Sequence, residues 1–351
     1  MNEHFNKYIN KGFVGLSNLG NTCFLNSCIQ VLNHTYELHF LIESKKQNNQ
    51  INKLVDSVIL NEWNELRELM WTENGTVSPN KFVHSVHQIA RQKKRDIFTG
   101  WLQNDITEFL LFLIDCMHNS ISRKITMKIN GTPENQTDKT AIVCYELLKN
   151  IYSKEYSEIM EIFYGVYVTA ISSTDNKKTH SIKPEHFFVL DLQIFQGNQL
   201  CKTIYDCFDL FVSPEEMRGE NAWLNEKTGK KEDILRNIFF WSFPKILVIT
   251  LKRFSPDGSQ KIQTTVDFPL ENLDLTKYVK GYNSNSYLYD LFGVCNHMGG
   301  VSGGHYTAFV KNVAGQWVHY NDNVVELVND PKIVVSPMAY CLFYRKKNNL
   351  P

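Results

Sequence analysis

The chain has 351 residues, of which 43% are hydrophobic, and its 37 Lys and Arg residues balance 37 Asp and Glu residues. A formal charge of zero argues against a nucleic-acid-binding protein, which usually carries a basic excess. The sequence shows no signal-peptide core and no apolar run near the ~20 residues of a membrane-spanning helix. We therefore expect a soluble protein of the cytoplasm or nucleus, with no membrane contact.

The cysteines give no sign of a disulfide scaffold or a metal site. They are scattered, at positions 23, 28, 116, 144, 201, 207, 295 and 341. No CxxC pair occurs, although disulfide scaffolds and four-thiolate zinc sites need clustered cysteines. We expect reduced cysteines, no metal and no cofactor.

Apolar periodicity predicts a mainly helical first half. Gly20 and Asn21 interrupt any earlier element, so a helix should begin at about Cys23 and run to about Asn33. Residues 36–121 are predicted to be mainly helical. Separate helices are predicted over residues 54–70, from Pro79 with Ser78 as N-cap, over 101–118 and over 142–162.

After residue 163 the pattern changes to strands, separated by Gly, Pro, Asn and Asp. The predicted strands cover residues 163–171, 187–194, 239–254, 287–297, 305–311, 317–320 and 340–344. A helical half followed by a strand-rich half predicts an α+β fold.

Cys23 is the candidate nucleophile. A thiol has a pKa of ~8.5 and is mostly protonated at neutral pH. The start of a helix would place its thiolate against the positive end of the helix dipole, and a nearby imidazolium would lower the pKa further. Asn18, on the turn before the helix, could form an oxyanion hole with the backbone N–H of Cys23. The alternatives are a buried structural cysteine and a turn-forming asparagine.

His305 is the candidate base, because two glycines before it allow close approach and the strand after it holds the ring. A hairpin between this strand and the next would bring Asn321 or Asp322 beside the imidazole. A third group there would fix the tautomer and the orientation of the ring. His297 has a similar glycine context, and we expect it to be a structural hydrogen-bonding residue.

Five segments form the most specific signal in the chain. They are GLSNLGNTCFLNS at 15–27, QNDITEF at 103–109, LVITLKRF at 247–254, GGHYTA with HYND at 303–308 and 319–322, and AYCLFY at 339–344. In this order, over nearly the whole chain, they resemble the motifs of the ubiquitin-specific proteases, which are deubiquitinating cysteine peptidases with a papain-like catalytic arrangement.

The resemblance implies a single catalytic domain over residues 12–346, which the family describes as a hand. Residues 12–160 would form a helical thumb and residues 161–346 a strand-rich palm and fingers. Short tails would remain at 1–11 and 347–351.

The resemblance also implies hydrolysis of the bond after the C-terminal glycine of ubiquitin, through an acyl-enzyme on Cys23. His305 would act as general base and then as general acid, while Asn18 and the Cys23 amide hold the oxyanion. The third residue is aspartate in many members and asparagine in others. We favour Asn321 and leave a contribution from Asp322 open.

Ubiquitin and its conjugates are the expected partners of a monomeric enzyme. The tail of ubiquitin bears arginines, which carboxylates bind well, so Asp105 and Glu108 are expected to contact it. The other residues assigned to the tail by resemblance are Gln103, Gly303, Gly304 and Tyr306. Loops at 255–260 and 298–303 are expected to close over it.

One part of the family pattern is missing. Many members carry two CxxC pairs that bind zinc at the fingertips. The matching positions here are Ser173, Asn176, Asn225 and Thr228, which offer no thiolate or imidazole. We therefore expect a metal-free fingertip.

Three other functions remain open. The chain could be an inactive ubiquitin-binding scaffold, a peptidase for a ubiquitin-like modifier, or an unrelated cysteine acyltransferase. The presence of both Cys23 and His305 argues against the scaffold, and no motif indicates a second acyl acceptor.

Overall fold

A helical part precedes a strand-rich part in the computed structural model of the chain. The structure describes residues 3–100, 102–175, 177–197, 199–226, 228–255, 260–300 and 303–347. This order of elements confirms the α+β prediction. Among the described residues, no helix combines the length and the apolar character that crossing a membrane requires.

Helices dominate the chain up to residue 163, where apolar side chains recur at helical spacing. Helices α1 to α8 cover Cys23–Leu32, Tyr36–Gln47, Ser57–Thr72, Asn80–Gln92, Ile106–Ile121, Gln136–Tyr152, Glu158–Phe163 and Ile204–Phe211. Short 3-10 helices cover Glu3–Tyr8, Asp96–Phe98, Gly219–Asn221, Thr276–Tyr278, Ser284–Ser286 and Pro331–Val334. Helix α1 begins at Cys23 as predicted, because Gly20 and Asn21 just before it have φ of 102° and 55°, which a helix cannot contain.

The predicted start of the helix at 101 is wrong. Helix α5 begins at Ile106, because the Asp105 carboxylate caps it by accepting the backbone N–H groups of Thr107 at 2.8 Å and Glu108 at 3.2 Å. Trp101 itself lies outside the described residues. The cap, rather than the apolar pattern, therefore sets this boundary.

Two other predicted helices differ from the structure. Helix α4 begins at Asn80, so Pro79 rather than Ser78 occupies the N-cap position. The helix predicted over 142–162 is divided into α6 and α7. The division arises because Tyr156, between them, forms an antiparallel bridge with the chain that follows α5.

Strands make up most of the second part. Strands β1 to β18 cover Val14–Leu16, Gly75–Val77, Gly165–Ser173, Thr179–Phe187, Val189–Gln193, Phe195–Gln196, Gln199–Leu200, Glu215–Met217, Trp223–Asn225, Lys230–Glu232, Ile234–Ser242, Ile246–Lys252, Leu273–Asp274, Leu288–Gly300, Gly303–Lys311, Trp317–Asn321, Val324–Leu327 and Ala339–Lys346. The segment predicted as one strand over 239–254 is two strands, because Pro244 interrupts it. Strand β4 was missed because burial does not alternate along it.

Of the 18 strands in the described residues, 12 belong to two sheets, and the other six form the two-stranded sheets β1-β2, β6-β7 and β9-β10. The large sheet has the order β17-β16-β15-β14-β18-β12-β5, with β13 paired to β14, and the smaller sheet has the order β4-β3-β11-β8. Neighbours in the large sheet are antiparallel except β12 and β5. The predicted hairpin of β15 and β16 is therefore confirmed, and it places the end of β16 beside the start of β15.

Helix α1 packs directly against the large sheet. All of its residues are buried, and its apolar side chains share one core with residues of β14, β15 and β18. One close approach is at Gly293 of β14, where an added Cβ would lie 2.5 Å from Cγ1 of Val31. Glycine at this point therefore lets α1 pack closely on the sheet.

We predict that Gly293→Ala destabilises the protein by ~1–3 kcal/mol, because Val31 is β-branched and cannot rotate away inside a helix. Gly100→Ala is the control, since nothing lies within 4 Å of its added Cβ. Its effect should stay within ~0.5 kcal/mol. Denaturant unfolding measures both, and equal stability of the two variants would contradict this packing.

Candidate active site

Cys23 lies at the first position of α1 and is 3% exposed. The backbone N–H of Tyr306 lies close enough to its sulfur to lower the pKa of the thiol. Tyr306 directly follows His305 on β15. The packing of α1 on the sheet therefore brings the candidate nucleophile to the residue next to the candidate base, although 282 positions of sequence separate Cys23 from His305.

The ionisation of Cys23 differs from the prediction. Burial raises the pKa of the thiol above its ordinary value, the Tyr306 amide lowers it, and the Asp322 carboxylate raises it. Burial is the largest of these effects. The expectation of a thiol pKa below the usual range is therefore wrong, because the position at the helix start does not offset the loss of water around the sulfur.

The His305 imidazole is held by the neighbouring strand. Its Nε2 lies 2.6 Å from Oδ1 of Asn321, the last residue of β16. The oxygen of an amide only accepts, so Nε2 carries the proton and donates it to Asn321. In the neutral ring Nδ1 is then unprotonated, which is the tautomer that a base needs.

Asp322 lies further from the imidazole, with Oδ2 at 4.0 Å from Nε2 of His305. Its carboxylate accepts hydrogen bonds from Nδ2 of Asn18 at 2.9 Å and from Nδ2 of Asn26 at 2.8 Å. Its backbone oxygen accepts the N–H of Leu16 at 2.8 Å. Asp322 thus connects the end of β16 to both sides of the Cys23 helix start.

Asn18 makes the turn that precedes α1. Its Oδ1 accepts the backbone N–H groups of Gly20 at 3.0 Å and Thr22 at 3.2 Å, while its Nδ2 donates to Asp322. This is the behaviour expected of a turn-forming asparagine. The side-chain amide has a second N–H, so a role in binding an oxyanion stays a prediction.

Gln103 holds the chain just before the base. Its Nε2 donates to the backbone oxygen of Gly304 at 2.8 Å, and its Oε1 accepts the Gly304 N–H at 2.6 Å. An added Cβ on Gly304 would lie 2.2 Å from the oxygen of Met298. Glycine is therefore required there, and Gln103, predicted as a substrate contact, also positions the residue before His305. An added Cβ on the preceding Gly303 would lie 2.9 Å from Oε1 of Gln103.

The two carboxylates expected to bind the ubiquitin tail have different surroundings. Asp105 is not on the exposed helix face that was predicted, because it caps α5 and its Oδ2 accepts the Tyr340 hydroxyl at 2.7 Å. Glu108 lies in the first turn of α5 with its side chain exposed. Glu108 is therefore the more accessible of the two for a ligand.

The side chains of Tyr306 on β15 and His297 on β14 pack against each other. Their rings lie 4.6 Å apart, and both residues are buried. Burial lowers the pKa of His297 to about 4, and its Nδ1 lies 3.0 Å from Nζ of Lys261. His297 is thus a buried hydrogen-bonding residue, as predicted. The side chain of Tyr306, predicted as a tail contact, is buried here.

Sequence reasoning missed Asn26, Lys261 and Tyr340. The one available signal was the presence of Asn26 among apolar residues of α1, since a buried polar side chain needs a partner. Tyr340 and Lys261 gave no such signal, because their partners are distant in the sequence: Asp105 at the start of α5 for Tyr340, and His297 on β14 for Lys261.

Three of the four fingertip positions, Ser173, Asn225 and Thr228, form hydrogen bonds with carboxylates. Ser173 donates to Asp175 at 2.6 Å, and the Glu232 carboxylate accepts from Asn225 at 2.8 Å and from Thr228 at 3.2 Å. In the part of the chain that the structure describes, no group of three or more His, Cys, Asp or Glu residues could hold a metal ion. Among the predicted positions, Asn176 lies outside the described residues, as do 256–259 and 301–302 of the two predicted loops.

Comparisons with known proteins agree on one family. A family model described as ubiquitin carboxyl-terminal hydrolase matches residues 14–344. The chain is 33% identical to ubiquitin carboxyl-terminal hydrolase Usp2 of Drosophila melanogaster over 341 residues, covering 96% of this chain and 35% of the relative. It is 31% identical to human ubiquitin carboxyl-terminal hydrolase 2 over 345 residues, covering 95% of this chain and 55% of the relative. The chain thus spans only part of the length of these relatives.

The fold is also that of solved structures. The Ubp8/Sgf11/Sus1/Sgf73 deubiquitinating module of SAGA, bound to ubiquitin aldehyde, matches with a TM-score of 0.71 at 22% identity, covering 97% of this chain and 70% of that chain. The same module bound to monoubiquitin matches with a TM-score of 0.72 at 22% identity, covering 96% and 70%. At this identity the likeness shows a shared fold.

We predict that the rate of Cys23 alkylation rises with pH to an inflection above the ~8.5 of an ordinary thiol, because burial disfavours the thiolate. Below that inflection the rate should fall tenfold for each pH unit. Iodoacetamide labelling, with the Cys23 peptide quantified by mass spectrometry, measures the profile, and a small-molecule thiol is the control. An inflection near pH 7 or below would contradict the pKa shift.

Proposed function

Because the chain belongs to the ubiquitin carboxyl-terminal hydrolase family, we propose that it is a deubiquitinating thiol hydrolase, cleaving the peptide or isopeptide bond after the C-terminal glycine of ubiquitin. The observation that carries the proposal is the junction of α1 and β15. There the Cys23 sulfur meets the Tyr306 amide beside an imidazole that Asn321 holds at 2.6 Å. Ubiquitin and its conjugates are the proposed partners, as in the ubiquitin-bound relative of the same fold.

In the proposed reaction the thiol loses its proton during the attack. The raised pKa of Cys23 means that little thiolate exists at neutral pH. His305 therefore takes the proton at Nδ1 as the sulfur adds to the carbonyl carbon, and it becomes an imidazolium. The imidazolium then protonates the leaving amine, which leaves an acyl-enzyme thioester on Cys23. Water, deprotonated by His305, releases ubiquitin with a free carboxylate.

Asn321, the last residue of β16, and Asp322, which follows it, have separate proposed roles. Asn321 orients the imidazole through its direct hydrogen bond, whereas Asp322 lies at 4.0 Å and stabilises the imidazolium by its charge. Asp322 also positions Asn18, whose second amide proton and the Cys23 backbone N–H would face the oxyanion. This division supports the choice of Asn321 as the orienting residue.

The first test measures release of a fluorogenic amide from the C terminus of ubiquitin by wild type and by Cys23→Ala. Release by wild type alone is expected. The same reporter on a ubiquitin-like modifier is the control for substrate class. Release from that reporter alone would mean that the substrate is the ubiquitin-like modifier and not ubiquitin. Binding of ubiquitin by wild type without release would indicate a scaffold and contradict the proposal.

We predict that Asn321→Ala lowers kcat by about 100-fold without changing the melting temperature, because only the orientation of the imidazole is lost. Asp322→Ala should lower both kcat and the melting temperature, because it removes the acceptor of the Asn18 amide and the shortest hydrogen bond of the buried Asn26 amide. Steady-state kinetics and thermal unfolding measure the two quantities. If Asn321→Ala lowered both kcat and the melting temperature and Asp322→Ala lowered only kcat, the two proposed roles would have to be exchanged.

Glu108→Arg should raise KM for ubiquitin substrates by about tenfold with little change in kcat, because a carboxylate available to the arginines of the tail becomes a repelling charge. Glu65→Arg is the matched control, as an exposed glutamate of α3. Asp105 is avoided because its loss would also uncap α5. An unchanged KM in Glu108→Arg would show that Glu108 does not contact the tail of ubiquitin.

A further inference from the structure

An apolar groove lies beside the candidate base. It encloses about 560 Å³ between the ends of β14 and β16 and the segment that precedes β18. Four large apolar side chains on its walls are well exposed: Met298 at 36%, Leu327 at 52%, Ile333 at 53% and Met338 at 37%. Exposed apolar residues usually occur singly, so their grouping around one concave surface indicates a binding site.

The groove is continuous with the catalytic centre. Asn321 lines it and also receives the hydrogen bond from Nε2 of His305 at 2.6 Å. Thr307 and Phe309 form part of its lining, and they alternate with Tyr306 along β15. A ligand in the groove therefore comes within one residue of the base.

The groove and the proposed tail site lie on opposite faces of β15. Successive side chains of a strand point to opposite faces. Tyr306 lies against the start of α5, where its side chain meets the backbone of Ile106, close to Asp105. Thr307 points the other way, into the groove. If the ubiquitin tail enters beside α5, the groove is on the side from which the leaving amine departs.

The charge of the groove favours a basic ligand. Glu326 and Asp330 line it, and no Lys or Arg occurs among the described residues of its lining. Burial lowers the pKa of His319, so this nearby histidine is neutral at neutral pH. A lysine-bearing segment suits such a surface, because its aliphatic stem can lie on Met298 and Met338 while basic neighbours meet the carboxylates.

We propose that this groove binds the substrate segment that carries the modified lysine, and that it prefers a segment with a large apolar side chain within a few residues of that lysine. The proposal rests on the proposed deubiquitinating function and extends it to the leaving-group side. The groove would then discriminate among conjugates, in addition to the recognition of ubiquitin itself.

The test compares two substrates that share ubiquitin and differ in the leaving group. One is ubiquitin joined through an isopeptide bond to the lysine of a fluorescent peptide that contains a neighbouring leucine and arginine. The other is ubiquitin carrying a coumarin amide, which has no peptide. Ile333→Asp and Leu327→Asp should each lower kcat/KM for the peptide conjugate about tenfold. Both should leave the coumarin substrate within about twofold of wild type.

Leu69→Asp on α3 is the matched control, because Leu69 is similarly exposed at 57% but does not line the groove. It should leave both substrates unchanged. Replacing the leucine of the peptide by serine, which is uncharged, should slow wild type and have no further effect on Ile333→Asp, because the two changes remove one contact.

Three results would overturn the proposal. Equal effects of Ile333→Asp on both substrates would mean that the groove does not contact the leaving group. A wild-type dimer that Ile333→Asp converts to a monomer in sedimentation would mean that a second copy occupies the groove. Failure of wild type to cleave either substrate would instead contradict the proposed function, and the groove assignment with it.

Discussion

The position of the whole site depends on the carboxylate of Asp322. It lies at the end of the strand that orients His305, and it receives the side-chain amides of Asn18 and Asn26 from the two sides of the Cys23 helix start. Asp322 is only 13% exposed and Asn26 is buried, so water competes poorly for the hydrogen bond between these two side chains. Helix and sheet are therefore fixed to each other at the point where nucleophile and base must meet.

The same junction raises the pKa of the Cys23 thiol. Close packing of α1 on the sheet removes water from Cys23, and the charge of Asp322 disfavours a thiolate nearby. The carboxylate that aligns the helix would at the same time stabilise an imidazolium, so proton transfer from Cys23 to His305 becomes favourable as the attack proceeds. A buried, neutral thiol is also less open to oxidation than an exposed thiolate.

Local sequence patterns predicted the helix and the strands that hold the site residues. Contacts between residues far apart in the sequence determine how these elements meet, and the local patterns did not show them. The start of α1 and the β15–β16 hairpin were predictable from glycines and from alternation within a few residues. The role of Asp322 was not, because its two amide partners lie 304 and 296 positions away in the sequence. The start of α5 was missed although Asp105 is a local cap, since the apolar pattern continues before it. The thiol pKa was misjudged because burial cannot be inferred from a helix position alone.

We infer that α1 and β15 assemble one reactive centre that receives the C terminus of ubiquitin. Reaction with ubiquitin that carries an electrophile at its C terminus, followed by peptide mapping, tests it most directly. All eight cysteines are buried and lie among the described residues, so burial alone does not single one out. We predict one ubiquitin per chain, attached to Cys23. The absence of an adduct, or attachment at any other cysteine, would contradict it.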